Sequence, residues 1–194
     1  EWDQLENKIV AYGDSVVNLT KILDAANITY GALAKEKCTG EPANKLGDKL
    51  TYNMLMKENL EALKEVKKII TMCPHCSINL GVEYKKYEPV NYEVFHHTQI
   101  IEDLIKNNKI SINQNTTENV TFHDPCNLSR GIGETSAPRT AINASFSNFN
   151  EMKESGKNTL CCGAGGGLWW KKETQGRAHL VRAEQVVESG WDTV

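Results

Sequence analysis

The sequence predicts an α/β protein built from two pseudo-repeated units with mostly parallel strands. Three observations carry this. Short β-branched runs alternate with longer segments of helical periodicity, the pattern of strands joined by crossover helices. The cysteines recur at matched spacing, with Cys38 lying 35 positions before Cys73 and Cys126 lying 35 positions before Cys161. A polar, Asn-rich stretch over 107–119 has no periodicity and separates the two cysteine sets, so the units are read as 1–110 and 111–194.

Each element has its own signal. Val16, Leu19, Leu23 and Ala26 fall at helical spacing and predict an amphipathic helix over roughly 6–26. Ile28–Leu33 reads as a short strand running into the loop that carries Cys38. Pro42 suits the first turn of a helix, which turns Tyr52, Leu55, Met56, Leu63 and Val66 inward. The run 68–72 is a strand, Cys73 follows it, and Pro74 opens a helix to about Lys86. Tyr92–Phe95 is a strand ending at His96-His97, and a helix covers about 98–107. In the second unit 120–122 is a strand ending at His123-Asp124-Pro125-Cys126, Pro138 introduces a short helix over 139–144, and a last helix runs from about Glu173 to Ser189 with Leu180, Ala183 and Val187 on its buried face. Cys38, Cys73 and Cys126 thereby fall at or just after carboxyl ends of strands, where open α/β sheets bind their ligands.

Composition removes several function classes. The net charge of −3 comes with both signs mixed and no basic run, so nucleic acid is not an expected partner. No apolar run reaches the ~18–20 residues that span a bilayer. Neither terminus reads as a natural chain end, and the expectation is a fragment of a longer protein. Six Asn-x-Ser/Thr sequons, at Asn18, Asn27, Asn115, Asn119, Asn127 and Asn143, superficially suit a secreted protein with three disulfides. A chain this long does not need such staples, and the adjacent Cys161-Cys162 is awkward for ordinary bridges.

All six cysteines belong to the two sets: Cys38, Cys73 and Cys76, then Cys126, Cys161 and Cys162. Grouped thiolates are soft ligands that select zinc, copper(I) or iron–sulfur clusters. Cys73-Pro74-His75-Cys76 opens a helix, where thiolate is favoured. A redox dithiol would act without Cys38. Structural zinc prefers two short-spaced pairs, whereas here one short-spaced pair and one adjacent pair each follow a lone cysteine. Adjacent thiols suit a multi-iron cluster whose separate metals each take one. The glycine run 163–167 lacks the Gly-Lys-Ser/Thr of a phosphate loop and fails the dinucleotide spacing. It reads as a loop whose backbone approaches a cluster and offers amides to its sulfurs. His75, His96, His97 and His123 near strand ends read as orienting or structural donors, His123-Asp124 as an orienting pair, and Trp169-Trp170 as packing beside the glycine loop.

Together the segments 38–43, 70–76, 94–98, 123–126 and 160–167 resemble, in order, the cysteine-rich CCG-domain family, which includes heterodisulfide reductase catalytic subunits and the iron–sulfur subunits of glycolate and lactate oxidation systems. The resemblance covers nearly the whole chain. In that family each repeat supplies an upstream Cys, a Cys-Cys-Gly and a Cys-x-x-Cys. Carried over, the first repeat gives Cys38, Cys73 and Cys76 and the second gives Cys126, Cys161 and Cys162, all as metal ligands. The first repeat's upstream cysteine is expected near Glu1 and the second's Cys-x-x-Cys just past Val194. Thr39 departs from the pattern, standing where a second cysteine belongs. The resemblance implies 4Fe-4S-type clusters, two per full-length protein: an electron relay at the first set, and at Cys161 and Cys162 an open, catalytic cluster that meets a disulfide. It implies an iron–sulfur oxidoreductase module, heterodisulfide reductase-like, partnered by a flavoprotein dehydrogenase, an electron-transfer flavoprotein or a ferredoxin-like domain, in the cytoplasm or at the cytoplasmic face of a membrane. The alternative from a different class is a zinc-binding structural or interaction domain without redox activity.

Overall fold

A computed structural model describes residues 12–33, 35–114, 117–168, 171–172 and 175–194. The architecture is mixed α/β, with two short pairs of parallel strands. In the first pair β1 (Lys68–Thr71) lies beside β2 (Glu93–His96), in the register Lys68↔Glu93 to Thr71↔His96. In the second, β3 (Asn119–Val120) pairs β4 (Asn148–Phe149), and Val120 also bridges Thr193 in parallel. Parallel neighbours need a crossover, and each pair has one. Helix α4 (Pro74–Ile78), a π-helical turn (Asn79–Glu83) and a 3-10 turn (Tyr84–Lys86) join β1 to β2. A π-helical turn (Asn127–Ile132) and α6 (Ser136–Ser145) join β3 to β4.

Several elements differ from those read in the sequence. Helix α1 spans Tyr12–Ala25, and residues 1–11 lie outside the described ones. Leu23 is buried on it, but Val16 is 49% exposed. Ile28–Leu33 forms no strand, so Cys38 sits in a loop rather than at a strand end. The helix expected from Pro42 onward is two: α2 (Glu41–Leu46) ends at Gly47, whose φ of 86° is left-handed, and α3 (Lys49–Ala62) restarts with Asp48 accepting from the Thr51 amide. Strand β3 is two residues long, β4 was not anticipated, and α6 begins at Ser136 with Pro138 inside its first turn. Helix α7 (Ala178–Ser189) begins later than read, and 173–174, with Trp169 and Trp170, lie outside the described residues. Its expected buried face is reversed: Leu180 is 52% and Val187 79% exposed, Ala183 is exposed, and Arg182, at 5%, faces inward. Arg182 turns inward because its guanidinium finds partners there.

One core cluster joins α3 to the first crossover: Tyr52, Met56, Leu63, Leu80, Tyr84 and Tyr92. The Tyr52 and Tyr84 rings meet edge-on at 6.2 Å, a favoured aromatic geometry. Tyr92 keeps its hydroxyl near the Leu80 carbonyl, 3.4 Å away. The halves meet where α4 packs on the turn Asn127–Ile132 and α5 (His97–Lys106) packs on α6. A Cβ on Gly131 would stand 2.6 Å from Ile78 Cδ1, so glycine permits the first of these contacts. At the second, Gln99 donates to Glu134 at 2.9 Å, and Ser136 and Thr140 hydroxyls donate to Glu102 at 3.1 and 2.7 Å. No helix among the described residues is long and apolar enough to cross a membrane.

Candidate metal centre

All six cysteines are free thiols, so the disulfide framework does not exist in this fold. The first set gathers around the carboxyl end of β1. Cys73 caps α4 in extended conformation, and Pro74 at the first helical position leaves no amide unsatisfied. The Cys73 carbonyl accepts from the hydroxyls of Thr71 (2.9 Å) and Ser77 (3.2 Å) and from the Ser77 amide (2.9 Å). Its thiol takes a hydrogen bond from Cys76, which with the His75 Nδ1 contact at 3.9 Å outweighs burial and pulls Cys73 down to about 4. Cys76 moves the other way, well above the ordinary thiol range, because its proton is the one shared with Cys73 and because it is buried. The Cys73 contact likewise raises His75. Cys38 is exposed, yet the next residue, Thr39, reaches Cys76 Sγ with its hydroxyl at 3.7 Å, so the loop has brought Cys38 to the same place.

That loop is held by buried polar groups. Asn79, fully buried, donates Nδ2 to the Thr39 carbonyl at 2.6 Å, and Tyr84 donates its hydroxyl to the same oxygen at 2.8 Å. Asn59 donates to the Cys38 carbonyl at 3.0 Å. Thr39 is 6% exposed and directs Oγ1 to Cys76 Sγ at 3.7 Å. The Gly40 amide donates to Cys38 Sγ at 3.4 Å, on a left-handed backbone with φ of 80°.

The second set uses the same turn. The Gly163 amide donates to Cys161 Sγ at 3.3 Å, again with a positive φ, 76°. A Cβ there would stand 2.7 Å from the His179 amide nitrogen, so the start of α7 rests on this glycine. Cys161 and Cys126 are half-buried and Cys162 is exposed. The stretches of chain bearing Cys126 and Cys161 run side by side: Thr159 donates Oγ1 to the Asp124 carbonyl at 3.1 Å, and Arg130 donates to the Thr159 carbonyl at 2.6 Å.

Charged groups anchor this half. Asp124, 1% exposed, forms a paired contact with Arg139, whose Nη2 reaches Oδ2 at 2.6 Å, and it accepts the Gly156 amide at 2.6 Å. Arg139 also donates twice to Glu151, at 2.8 Å each, and lies 5.4 Å over the Phe122 ring. Its pKa is raised, chiefly by Asp124. Arg182 donates Nε to His123 Nδ1 at 2.9 Å and Nη1 to the Glu154 carbonyl at 3.0 Å. Burial, then the Arg182 charge, lowers the His123 pKa.

His96 and His97 stand together at the end of β2, their rings 4.2 Å apart. Burial lowers both, His97 to about 4. His96 accepts or donates to Thr98 Oγ1 at 2.7 Å. Among the described residues no three His, Cys, Asp or Glu side chains close on a single-ion site. Asn59, Asn79, Tyr84, Arg139 and Arg182 were not singled out in the sequence as site residues. Each reaches a partner 15 or more positions away in the chain, so no local spacing marks it.

The comparisons agree with this pattern. The family model for the cysteine-rich CCG domain matches residues 9–81 and again 120–194. An EtfAB:quinone oxidoreductase of Syntrophomonas wolfei is 35% identical over 158 residues, covering 80% of this chain and 22% of that protein. A protein of Bacillus subtilis named "Probable iron-sulfur-binding oxidoreductase FadF" is 34% identical over 176 residues, covering 88% of the chain and 25% of that protein. A component of the dihydromethanophenazine:CoB–CoM heterodisulfide reductase of Methanosarcina barkeri is 31% identical over 158 residues, covering 77% of the chain and 39% of that protein. The chain thus spans about a quarter of the first two relatives' length. No solved structure matches it. With two matched segments that together contain every cysteine, the chain belongs to the CCG family of cysteine-rich domains.

Proposed function

We propose that this chain is an iron–sulfur electron-transfer module of a larger oxidoreductase, heterodisulfide reductase-like, with one cluster at each cysteine set near the strand carboxyl ends of its unit. The observation that carries the reading is the repeated Cys-x-Gly turn: in both halves a glycine amide, on a left-handed backbone, donates to the sulfur two residues before it. Amides aimed at sulfur stabilise thiolate and the anionic cluster it holds. Cys38, Cys73 and Cys76 would hold the first group and Cys126, Cys161 and Cys162 the second. The donor set fits: Cys76 and His75 beside the Cys73 thiol pull it down and favour the thiolate that binds metal.

When bound, such clusters accept and release single electrons. The chain's own part is to present thiolates, orient them and control access. Thr39 fills the inward position of the first turn, closing it. Cys162 fills the equivalent position of the second and stands in solvent, so we assign Cys161 and Cys162 to the site that meets a disulfide. The relatives' names, an EtfAB:quinone oxidoreductase and a heterodisulfide reductase component, support redox partner subunits, which we read as of the flavoprotein or ferredoxin-like kind; a place in the cytoplasm, or at its membrane face through them, is part of the same proposal.

The test is anaerobic reconstitution of the intact protein with iron and sulfide, followed by metal analysis and visible spectroscopy. The proposal expects iron and sulfide in similar amounts and broad visible absorption. A colourless protein holding stoichiometric zinc would instead establish the structural-domain reading.

A further inference from the structure

The glycine loop after Cys161-Cys162 packs against the other cysteine set. A Cβ on Gly165 would stand 2.8 Å from His75 Nε2, and one on Gly167 would stand 2.7 Å from Leu46 Cδ2. These contacts differ in kind. Gly167 has a φ of 84°, which by itself favours glycine, while Gly165 is not among the left-handed glycines. Alanine would suit the Gly165 backbone, and only the His75 ring excludes it. The opposite edge of that ring places Nδ1 3.9 Å from Cys73 Sγ. One imidazole therefore spans from the Cys73 thiol of the first set to the second set's glycine loop.

The ring is confined along its length. With Gly165 against Nε2 and Cys73 beside Nδ1, a shift of the glycine loop would be felt at the Cys73 contact. Hydrogen bonds to ligand sulfur tune a cluster's electronic structure, and groups that orient ligands tune it nearly as strongly. We propose that His75 is a positioning residue clamped by Gly165, through which the loop following Cys161-Cys162 sets the hydrogen bond to Cys73 and thereby the properties of the first cluster. This rests on the iron–sulfur reading of both sets and adds to it a residue-level link between them.

The experiment compares wild type, Gly165→Ala, His75→Ala, His75→Asn and the double variant His75→Asn/Gly165→Ala in the intact protein. Asparagine keeps a polar group near the Nδ1 position and lacks the atoms that meet Gly165. Two readouts are taken: the paramagnetic spectrum of the first cluster after reconstitution, and the ring nitrogen NMR shifts of His75 in metal-free protein. Gly165→Ala is expected to shift both, although it lies in the second half. In the His75→Asn background the same substitution is expected to leave the cluster spectrum unchanged. His75→Asn alone is expected to shift that spectrum less than His75→Ala.

Equal spectral shifts from Gly165→Ala in the two backgrounds, or none in either, overturn the inference while iron uptake leaves the iron–sulfur reading standing. Metal-free His75 resonances that ignore Gly165→Ala also overturn it. If Gly165→Ala does not fold, recovery of the fold in the double variant supports the clamp, and its failure there overturns it. Absence of iron from the wild type overturns the reading beneath the inference, and the inference with it.

Discussion

In the turn Cys38-Thr39-Gly40 the middle residue points inward, 6% exposed, with its hydroxyl on Cys76 and its carbonyl held by Asn79 and Tyr84. In Cys161-Cys162-Gly163 the middle residue is an exposed thiol. The flanking geometry is the same in both, down to the glycine amide on the first sulfur. The same backbone turn thus serves two ends. Where the middle side chain is sealed into the scaffold, the turn is a fixed ligand mount. Where it faces solvent, a reactive group stands at the surface beside the mount. The anchoring differs too: neutral amides and a phenol hold the first turn's loop, and buried arginine–carboxylate contacts hold the second half.

The sharpest way to break this comparison is at its exposed thiol. Cys162→Ser in the intact protein is expected to abolish disulfide-linked turnover while the first cluster's spectrum survives, whereas Thr39→Cys is expected to alter that spectrum more than turnover. Full activity in Cys162→Ser, with Cys73→Ser alone destroying it, would reverse the assignment.

Next in size is the charged anchor. Asp124→Ala removes the buried carboxylate from the half-buried Arg139, which keeps Glu151, and frees the Gly156 amide; breaking one side of a buried pair costs up to about 3–5 kcal/mol. Urea unfolding measures this, and a loss under about 1 kcal/mol, as exposed pairs give, would show that the second half does not depend on it. The neutral anchor should matter less. Asn79→Ala removes one of two donors on the buried Thr39 carbonyl, a loss of about 1–3 kcal/mol. Its iron uptake should fall at the first set and hold at the second.

The chain's own letters made the two cysteine sets legible because the cysteines are few and fall at matched intervals, but that spacing aligned Cys38 with Cys126, whereas the glycine turn equates Cys38 with Cys161. Strands β1 and β2 were legible for a related reason: each is a short run rich in β-branched or aromatic residues, with site chemistry at or just past its end. Ile28–Leu33 misled because β propensity alone does not make a strand without a neighbour to pair with. Helix α7 misled because apolar spacing marked Leu180 and Val187 for burial, while the partners of Arg182 at His123 and Glu154 decided which face turned in. Asn59 and Asn79 could not be found from spacing, since their role depends on where the Cys38 loop lands.

One effect appears only in acid. Burial, then the neighbouring His96 ring, hold the folded pKa of His97 at about 4, with the Thr71 backbone acting in the opposite sense. The unfolded chain binds a proton at about 6.5 that the folded chain refuses until about 4. Stability therefore falls as pH drops through that window and levels off below it, with a slope from this group of at most about 1.4 kcal/mol per pH unit. His97→Gln should flatten that slope in the metal-free chain. An unchanged slope would place the acid sensitivity elsewhere.

The most direct test is whether the two cysteine sets hold separate clusters. Paramagnetic spectra of reconstituted intact protein, taken for wild type, Cys73→Ser and Cys126→Ser, decide it. Two distinguishable iron–sulfur signals are expected, with Cys73→Ser removing or altering one and Cys126→Ser the other. A single signal lost equally in both variants, or bound zinc with no iron signal at all, would contradict the assignment of one cluster to each half.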